Sequence, residues 1–365
     1  MQPVEIVREL RGHAANLALR MPISWVNILA GPPVVIDGRT LDGRTQWFLK
    51  LLARSGQKPL HKLSVDEARE EFESFQIMMS GKPATVGSIV DRTIAGPGGS
   101  PDGAPGGSSA PRLRVRLYKP FGVGPQPLPT ILYFHGGGWT IGSLEAYDAP
   151  LRFFCARIGC AVLAVDYRLA PEHKFPAAVD DAVTTFRWLT ANAAGLGLDP
   201  DRIAVAGDSA GGTLAAVVSQ LTRGEAHRPW LQWLIYPCTD LGGTTPSHES
   251  CGSGFLLSRE DMAWFGSHYL TEPAEEADPR ASPLRQPDLS GLPPALIFTA
   301  GFDPLRDDGK QYAERLSLAG VKVVYREFDS LIHGFVGMRG ALQAAARAMD
   351  DMVAGVRHEL AGLGS

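Results

Sequence analysis

Cysteine is scarce in this chain: Cys155, Cys160, Cys238 and Cys251 are the only four in 365 residues, and no two stand in C-x-x-C spacing. So few thiols exclude a disulfide framework and a clustered thiolate site, and they fit the reducing cytosol, where cysteine serves as a small buried apolar residue. An excess of one charge is lacking too. With 35 Lys and Arg against 39 Asp and Glu the formal net charge is -4, which leaves no basic face for a nucleic acid. Residues 17–36 come nearest to a membrane span, yet Arg20, Pro22, Asn27, Pro32 and Pro33 interrupt them. They read as an amphipathic or irregular cover over something apolar, without stable membrane insertion. The N-terminus has no basic segment followed by an uninterrupted apolar stretch, so a secretory leader is not expected and a cytoplasmic location is. No H-E-x-x-H pattern or Cys/His cluster occurs; the expectation is no metal and no organic cofactor.

What remains is an ordinary globular composition, 44% hydrophobic and 20% charged, in a chain long enough for two domains or for one α/β domain with insertions. Helical patterns cover 4–19 and 64–81. The second opens on Ser64 with Glu67 three residues later, a capping box, and closes at Gly81-Lys82-Pro83. Between them Trp25, Ile28, Leu29, Trp47, Phe48, Leu51 and Leu52 are too apolar for a solvated arm and require a partner surface. Strands are expected at 86–94 and 112–118 as an antiparallel edge, around a Gly/Pro/Ser segment at 96–111 that reads as a mobile hairpin insertion.

From residue 130 the rhythm is regular. Strands at 130–135, 161–166, 202–207, 231–236, 295–300 and 321–327 alternate with helices near 147–158, 176–193, 210–223, 307–319 and 339–360. That alternation predicts an α/β fold, a mostly parallel sheet with helices on both faces. Between Pro237 and Pro294 the rhythm stops, apart from an aromatic helix through Met262, Trp264 and Phe265 to Tyr269. A loop so long is usually functional. The chain therefore divides into an N-terminal arm, 1–82, and a body, 83–365, with an insertion at about 240–290. Arm and insertion together are expected to form a helical cap.

The body is organised around Ile203-Ala204-Val205-Ala206-Gly207-Asp208-Ser209-Ala210-Gly211-Gly212, an apolar strand running into a glycine-flanked serine and then a helix. In this strand–turn–helix context G-x-S-x-G lifts the Ser209 hydroxyl above the carboxyl edge of the sheet as a nucleophile. A serine nucleophile needs a base, an orienting acid and an oxyanion hole. His333 alone of the nine histidines sits on a loop just beyond a late core strand, and Asp303 follows the strand at 295–300. Asp307 and Asp308 are rivals for the acid, but they fall in the first turn of the next helix, where carboxylates have a dipole reason to stand. The order Ser209, Asp303, His333 is that of α/β-hydrolases. His135-Gly136-Gly137-Gly138-Trp139 follows another strand, and its glycines allow backbone N–H groups to converge on a developing oxyanion.

These motifs, together with Asp166-Tyr167-Arg168-Leu169-Ala170-Pro171-Glu172, Tyr236-Pro237, Asp278-Pro279-Arg280-Ala281-Ser282-Pro283-Leu284, Asp303-Pro304-Leu305-Arg306-Asp307 and His333-Gly334-Phe335, resemble the hormone-sensitive-lipase branch of the α/β-hydrolases, the bacterial family IV esterases. The resemblance spans roughly residues 110 to 360. It implies the α/β-hydrolase fold, a Ser209, Asp303, His333 triad and oxyanion donors at the N–H groups of Gly137, Gly138 and Ala210. It also implies that His135 shapes the turn beginning at Gly136 without moving protons, and Asp208 marks the subgroup with aspartate before the serine.

The activity implied is hydrolysis of a small-molecule carboxylic ester through an acyl-enzyme. A covered pocket of limited volume, lined by Trp25, Trp139, Phe255 and Trp264, would favour short to medium acyl chains. A second copy of the chain is the only protein partner entertained. Two other readings share the fold: a small-molecule receptor that does not hydrolyse, which can lack the histidine, and an amidase using the same triad.

Overall fold

The computed structural model describes residues 21–99, 110–122, 124 and 126–362. The helix expected at 4–19 lies outside them, as does most of the Gly/Pro/Ser segment. In chain order the elements are α1 Ile23–Ala30, β1 Val35–Ile36, β2 Arg39–Thr40, α2 Gly43–Arg54, α3 Val65–Ser80, β3 Ser88–Ala95, β4 Arg112–Lys119 and β5 Leu128–Phe134. There follow α4 Asp148–Phe154, β6 Ala161–Asp166, α5 Ala177–Asn192, β7 Leu198–Asp208, α6 Ala210–Leu221 and β8 Leu231–Ile235. The last are α7 Pro246–Ser250, α8 Arg259–Tyr269, β9 Ala295–Phe302, α9 Arg306–Leu318, β10 Val323–Ile332 and α10 Gln343–Gly362.

Eight strands form one sheet in the order β10-β9-β8-β7-β5-β6-β4-β3. β3 pairs antiparallel with β4 and β4 with β6, and every other pairing is parallel. The antiparallel edge expected from two strands without an intervening helix is therefore present. Gly96 N–H to Pro111 O, 2.7 Å, carries its pairing one step past the strands. The regular alternation after residue 130 was a sound guide, within a few residues at each boundary. One difference is physical: the helix expected at 147–158 is α-helical only to Phe154 and ends in a π-helical turn, Cys155–Gly159.

Alternate residues of the central strands feed two cores, as period-two side chains must. On one face Tyr133, Ala206, Trp233 and Phe298 pack with α4 and α10; on the other Leu132, Val205, Leu234 and Ile297 pack with α5, α6 and α9. Both faces being covered, these strands read as continuous apolar runs. α3 begins with the Ser64–Glu67 capping box, and α8 with a second one, Ser258 with Asp261. From Pro237 to Pro294 there is no strand, only α7, α8 and short 3-10 turns.

Candidate active site

Strand β7 ends at Asp208 and α6 begins at Ala210, so Ser209 alone makes the turn. Its backbone stands at φ 54°, ψ -122°, a region that costs a non-glycine residue roughly 1–3 kcal/mol and persists only where its surroundings enforce it. They do so by contact. A Cβ on Gly207 would collide with the backbone of Gly211, and one on Gly211 with the Phe134 carbonyl, so strand and helix approach this closely only through glycine. The Ser209 N–H is tied to Ile235 O at 2.9 Å.

The turn brings Ser209 Oγ to 3.0 Å from His333 Nε2, and His333 Nδ1 lies 2.8 Å from Asp303 Oδ2. A carboxylate only accepts, so Nδ1 carries the proton and Nε2 is left to accept from the serine hydroxyl. Asp303 is fully buried, and its other oxygen accepts the Leu305 N–H at 2.8 Å. The rival carboxylates point elsewhere. Asp307 accepts the Ser247 N–H at 2.9 Å and pairs with Arg306, while Asp308 is buried 3.2 Å from His248 Nε2. Both stand in the first turn of α9, where they were expected, and each also meets a tertiary neighbour.

Gly137, Gly138 and Trp139 all have positive φ, at 113°, 55° and 57°. The Gly136 N–H is consumed by Asp208 Oδ1 at 2.9 Å and Tyr147 Oη at 3.1 Å. Among the described residues no protein acceptor takes the Gly137 or Gly138 N–H. A trans peptide holds its N–H opposite its C=O, so the aim of the Gly137 N–H is set by Gly136 O, which accepts from His135 Nδ1 at 2.7 Å. His135 is buried against Tyr167, ring centroids 4.3 Å apart, and burial holds its pKa down at about 4. It is neutral near pH 7, a fixed donor.

Sequence reasoning missed the tyrosines. Asp208 accepts from Tyr133 Oη and Tyr147 Oη, both at 2.9 Å, and stands 3.4 Å from Tyr236 Oη. Burial and the Asp208 charge push all three phenols well above their usual range, so they stay protonated donors. Tyr133 lies within β5, Tyr147 just before α4 and Tyr236 just after β8, positions that share no sequence pattern and so do not reveal a common acceptor.

Ser209, His333, Gly137, Gly138, Ala210 and Trp139 open onto a cavity of about 1130 Å³, larger than the limited pocket expected, with walls from 49–76 and 253–276. Three pocket expectations need correction. Trp25 is 63% exposed and does not line the cavity, because α1 buries the stripe through Val26 and Ala30 instead. Phe255 does not line it either and packs against Phe302, centroids 5.2 Å apart. Trp264 turns onto His268; its neighbour Phe265, about 100° round the helix, takes the cavity wall.

A family model described as the alpha/beta hydrolase fold matches residues 131–337. The chain belongs to the α/β-hydrolase family. Its place is the hormone-sensitive-lipase branch, among the carboxylic ester hydrolases. It is similar to the carboxylic ester hydrolase LipN of Mycobacterium tuberculosis, 39% identical over 370 residues, covering 97% of this chain and 93% of LipN. It is also similar to an ethyl acetate hydrolase of Pseudomonas putida, 38% identical over 309 residues, covering 83% of this chain and 92% of that protein. Among solved structures, an ester hydrolase from the metagenome of Lake Arreo, complexed with a bipyridine phosphonate derivative, matches at 37% identity and a TM-score of 0.82. The match covers 89% of this chain and all of that one, 100%.

Proposed function

We propose that this family member hydrolyses short to medium acyl esters through a covalent acyl-enzyme on Ser209. The observation that carries the reading is the unbroken line from Ser209 Oγ through His333 to Asp303, at 3.0 and 2.8 Å, beside two backbone N–H groups with no protein acceptor among the described residues. His333 Nε2 takes the hydroxyl proton as Oγ bonds to the ester carbonyl carbon, and Gly137, Gly138 and Ala210 N–H groups hold the oxyanion. The C–O bond to the alcohol then breaks, and His333 returns the proton to the departing oxygen. Water, deprotonated by His333, attacks the acyl-enzyme and regenerates the serine. Asp303 stabilises the imidazolium throughout.

The N-terminal arm and the insertion act together as a cap, a reading supported by their joint share of the cavity wall. The volume alone admits longer chains. The short-chain preference rests on the relative whose name gives ethyl acetate as its substrate. Four free cysteines favour the cytosol as its place of action.

The test is a panel of p-nitrophenyl esters from acetate to palmitate beside an anilide. Butyrate to hexanoate should run fastest, palmitate and the anilide far slower, and Ser209→Ala should lose on the order of 10⁶ in kcat. A tenth of the activity surviving in that variant would remove Ser209 from the mechanism. A faster anilide would favour the amidase, and no turnover by the wild type would favour the receptor.

A further inference from the structure

The carbonyls of the oxyanion loop are all held, and the groups that hold the far end come from outside the sheet. Gly137 O accepts the Thr140 and Ile141 N–H groups, both at 3.0 Å, and Gly138 O accepts Thr140 Oγ1 at 3.0 Å. Trp139 O accepts the Ala170 N–H at 2.8 Å. Thr140 O accepts Arg69 Nε at 3.0 Å, and Arg69 Nη2 also reaches Ala170 O at 3.0 Å. Arg69 lies on α3, in the N-terminal arm. Its guanidinium is braced by Glu172 through two bonds of 2.6 and 2.7 Å. Because the Gly138 N–H shares a peptide plane with Gly137 O, the turn that Arg69 fastens also sets where that N–H points.

The other face of the loop meets α8. A Cβ on Gly138 would fall inside the Phe265 ring, so that ring lies flush on the glycine. One turn further along, Tyr269 stacks on Trp139, centroids 4.2 Å apart and planes 9° from parallel. Tyr269 is held in turn by the Phe175 N–H on its carbonyl, 2.8 Å. Its buried hydroxyl has no hydrogen-bond partner among the described residues, so the ring rather than the hydroxyl makes the contact.

We infer that Arg69, Phe265 and Tyr269 are positioning residues for the oxyanion hole, so that the two cap segments aim the Gly138 donor as well as cover the substrate. This rests on the Ser209 acyl-enzyme reading. A donor displaced by a fraction of an ångström stabilises the transition state less while ground-state binding is nearly untouched. Loosening the cap therefore lowers kcat rather than raising KM.

The experiment compares Arg69→Gln, Phe265→Ala, Tyr269→Leu and Tyr269→Phe with the wild type on p-nitrophenyl butyrate. For each it also measures inhibition by an alkyl trifluoromethyl ketone, whose serine hemiketal places an oxyanion in the hole, and by the matching methyl ketone. The first three variants should lose about 10- to 100-fold in kcat, with KM within about threefold and the trifluoromethyl advantage reduced by the same factor as kcat. Tyr269→Phe should stay near the wild type, since it keeps the stack. Glu172→Gln should also stay close, because Arg69 keeps its bonds to Thr140 and Ala170. If Tyr269→Leu does not fold, Arg69→Gln, whose side chain is 27% exposed, carries the test. A rise in KM with kcat and the inhibitor ratio unchanged would overturn the inference and leave the cap a cover only. A wild type showing no preference for the trifluoromethyl ketone would instead overturn the acyl-enzyme reading itself.

Discussion

The carboxylate of Asp208 accepts the Gly136 N–H at 2.9 Å, across 72 residues of sequence. The residue before Ser209 thus holds the first glycine of the 136–139 loop, and the two halves of the candidate site are joined at a buried carboxylate. Three tyrosines close around the same carboxylate.

Asp208→Asn keeps one oxygen for Gly136 but turns a donor toward phenols that also donate. We expect a loss of roughly 1–3 kcal/mol in unfolding free energy, the usual consequence of mismatching a buried polar group, and about tenfold in kcat. Denaturant titration and ester kinetics on the same preparation check both. Wild-type values in each would show that the loop holds its shape without the carboxylate.

Asp303→Asn preserves shape but removes the charge that stabilises the imidazolium and fixes its tautomer; losing the triad carboxylate in this way costs a serine protease about 10⁴ in kcat, and a fall of that order is expected here. Asp307→Asn removes the charge paired with Arg306 and leaves one acceptor oxygen where Ser247 N–H and Arg306 Nε now use two, so it should cost about 1–2 kcal/mol of stability and little rate. Measuring kcat and thermal midpoint side by side separates them. A deep rate loss confined to Asp307→Asn would transfer the acid to that residue.

His135→Phe retains a ring against Tyr167 but deletes the bond to Gly136 O. It should lower kcat by about 10- to 100-fold through misaimed donors. The acid limb of the pH–rate profile should not move, because the pKa of His135, held at about 4 by burial, lies below the range in which a histidine base works. A displaced acid limb would give His135 a part in proton transfer.

Asp308 supplies a test by pH. Burial pushes its carboxyl up to about 6 although His248 opposes the rise. Burial lowers the pKa of His248, but Asp308, with Asp303 and Asp307 behind it, raises it by more, so the net shift is upward. A carboxyl whose folded pKa exceeds its unfolded value binds its proton more tightly in the native state. Its stabilising contribution is present below the unfolded value of 3.8 and is lost as pH rises to about 6. The His248 contribution has the same sign. The melting temperature of the wild type relative to Asp308→Asn should therefore fall between about pH 4 and pH 6. A constant difference across that interval would mean that Asp308 does not titrate there.

Much of the molecule was legible from its sequence, for local reasons. Strand and helix periods are set by which faces are buried, so the α/β alternation after residue 130 could be read directly. Ser209 was legible because a strand-to-helix turn at that distance tolerates only glycine at 207 and 211. Asp303 and His333 stood out because each follows a strand that ends at the same sheet edge. The aromatic lining was not legible: adjacent Trp264 and Phe265 differ by a rotation about the helix axis, and only the surface against which α8 packs chooses between them.

By itself, then, the chain's order of residues determined the strands, the serine turn and the candidates for acid and base, since each depends on near neighbours and backbone sterics. Only the tertiary structure decided that Tyr133, Tyr147 and Tyr236 share Asp208, that Arg69 fastens Thr140 and that Phe265 lies on Gly138. Those contacts join residues far apart in the chain, and no periodicity or local propensity records which distant surfaces meet once both faces of the sheet are covered.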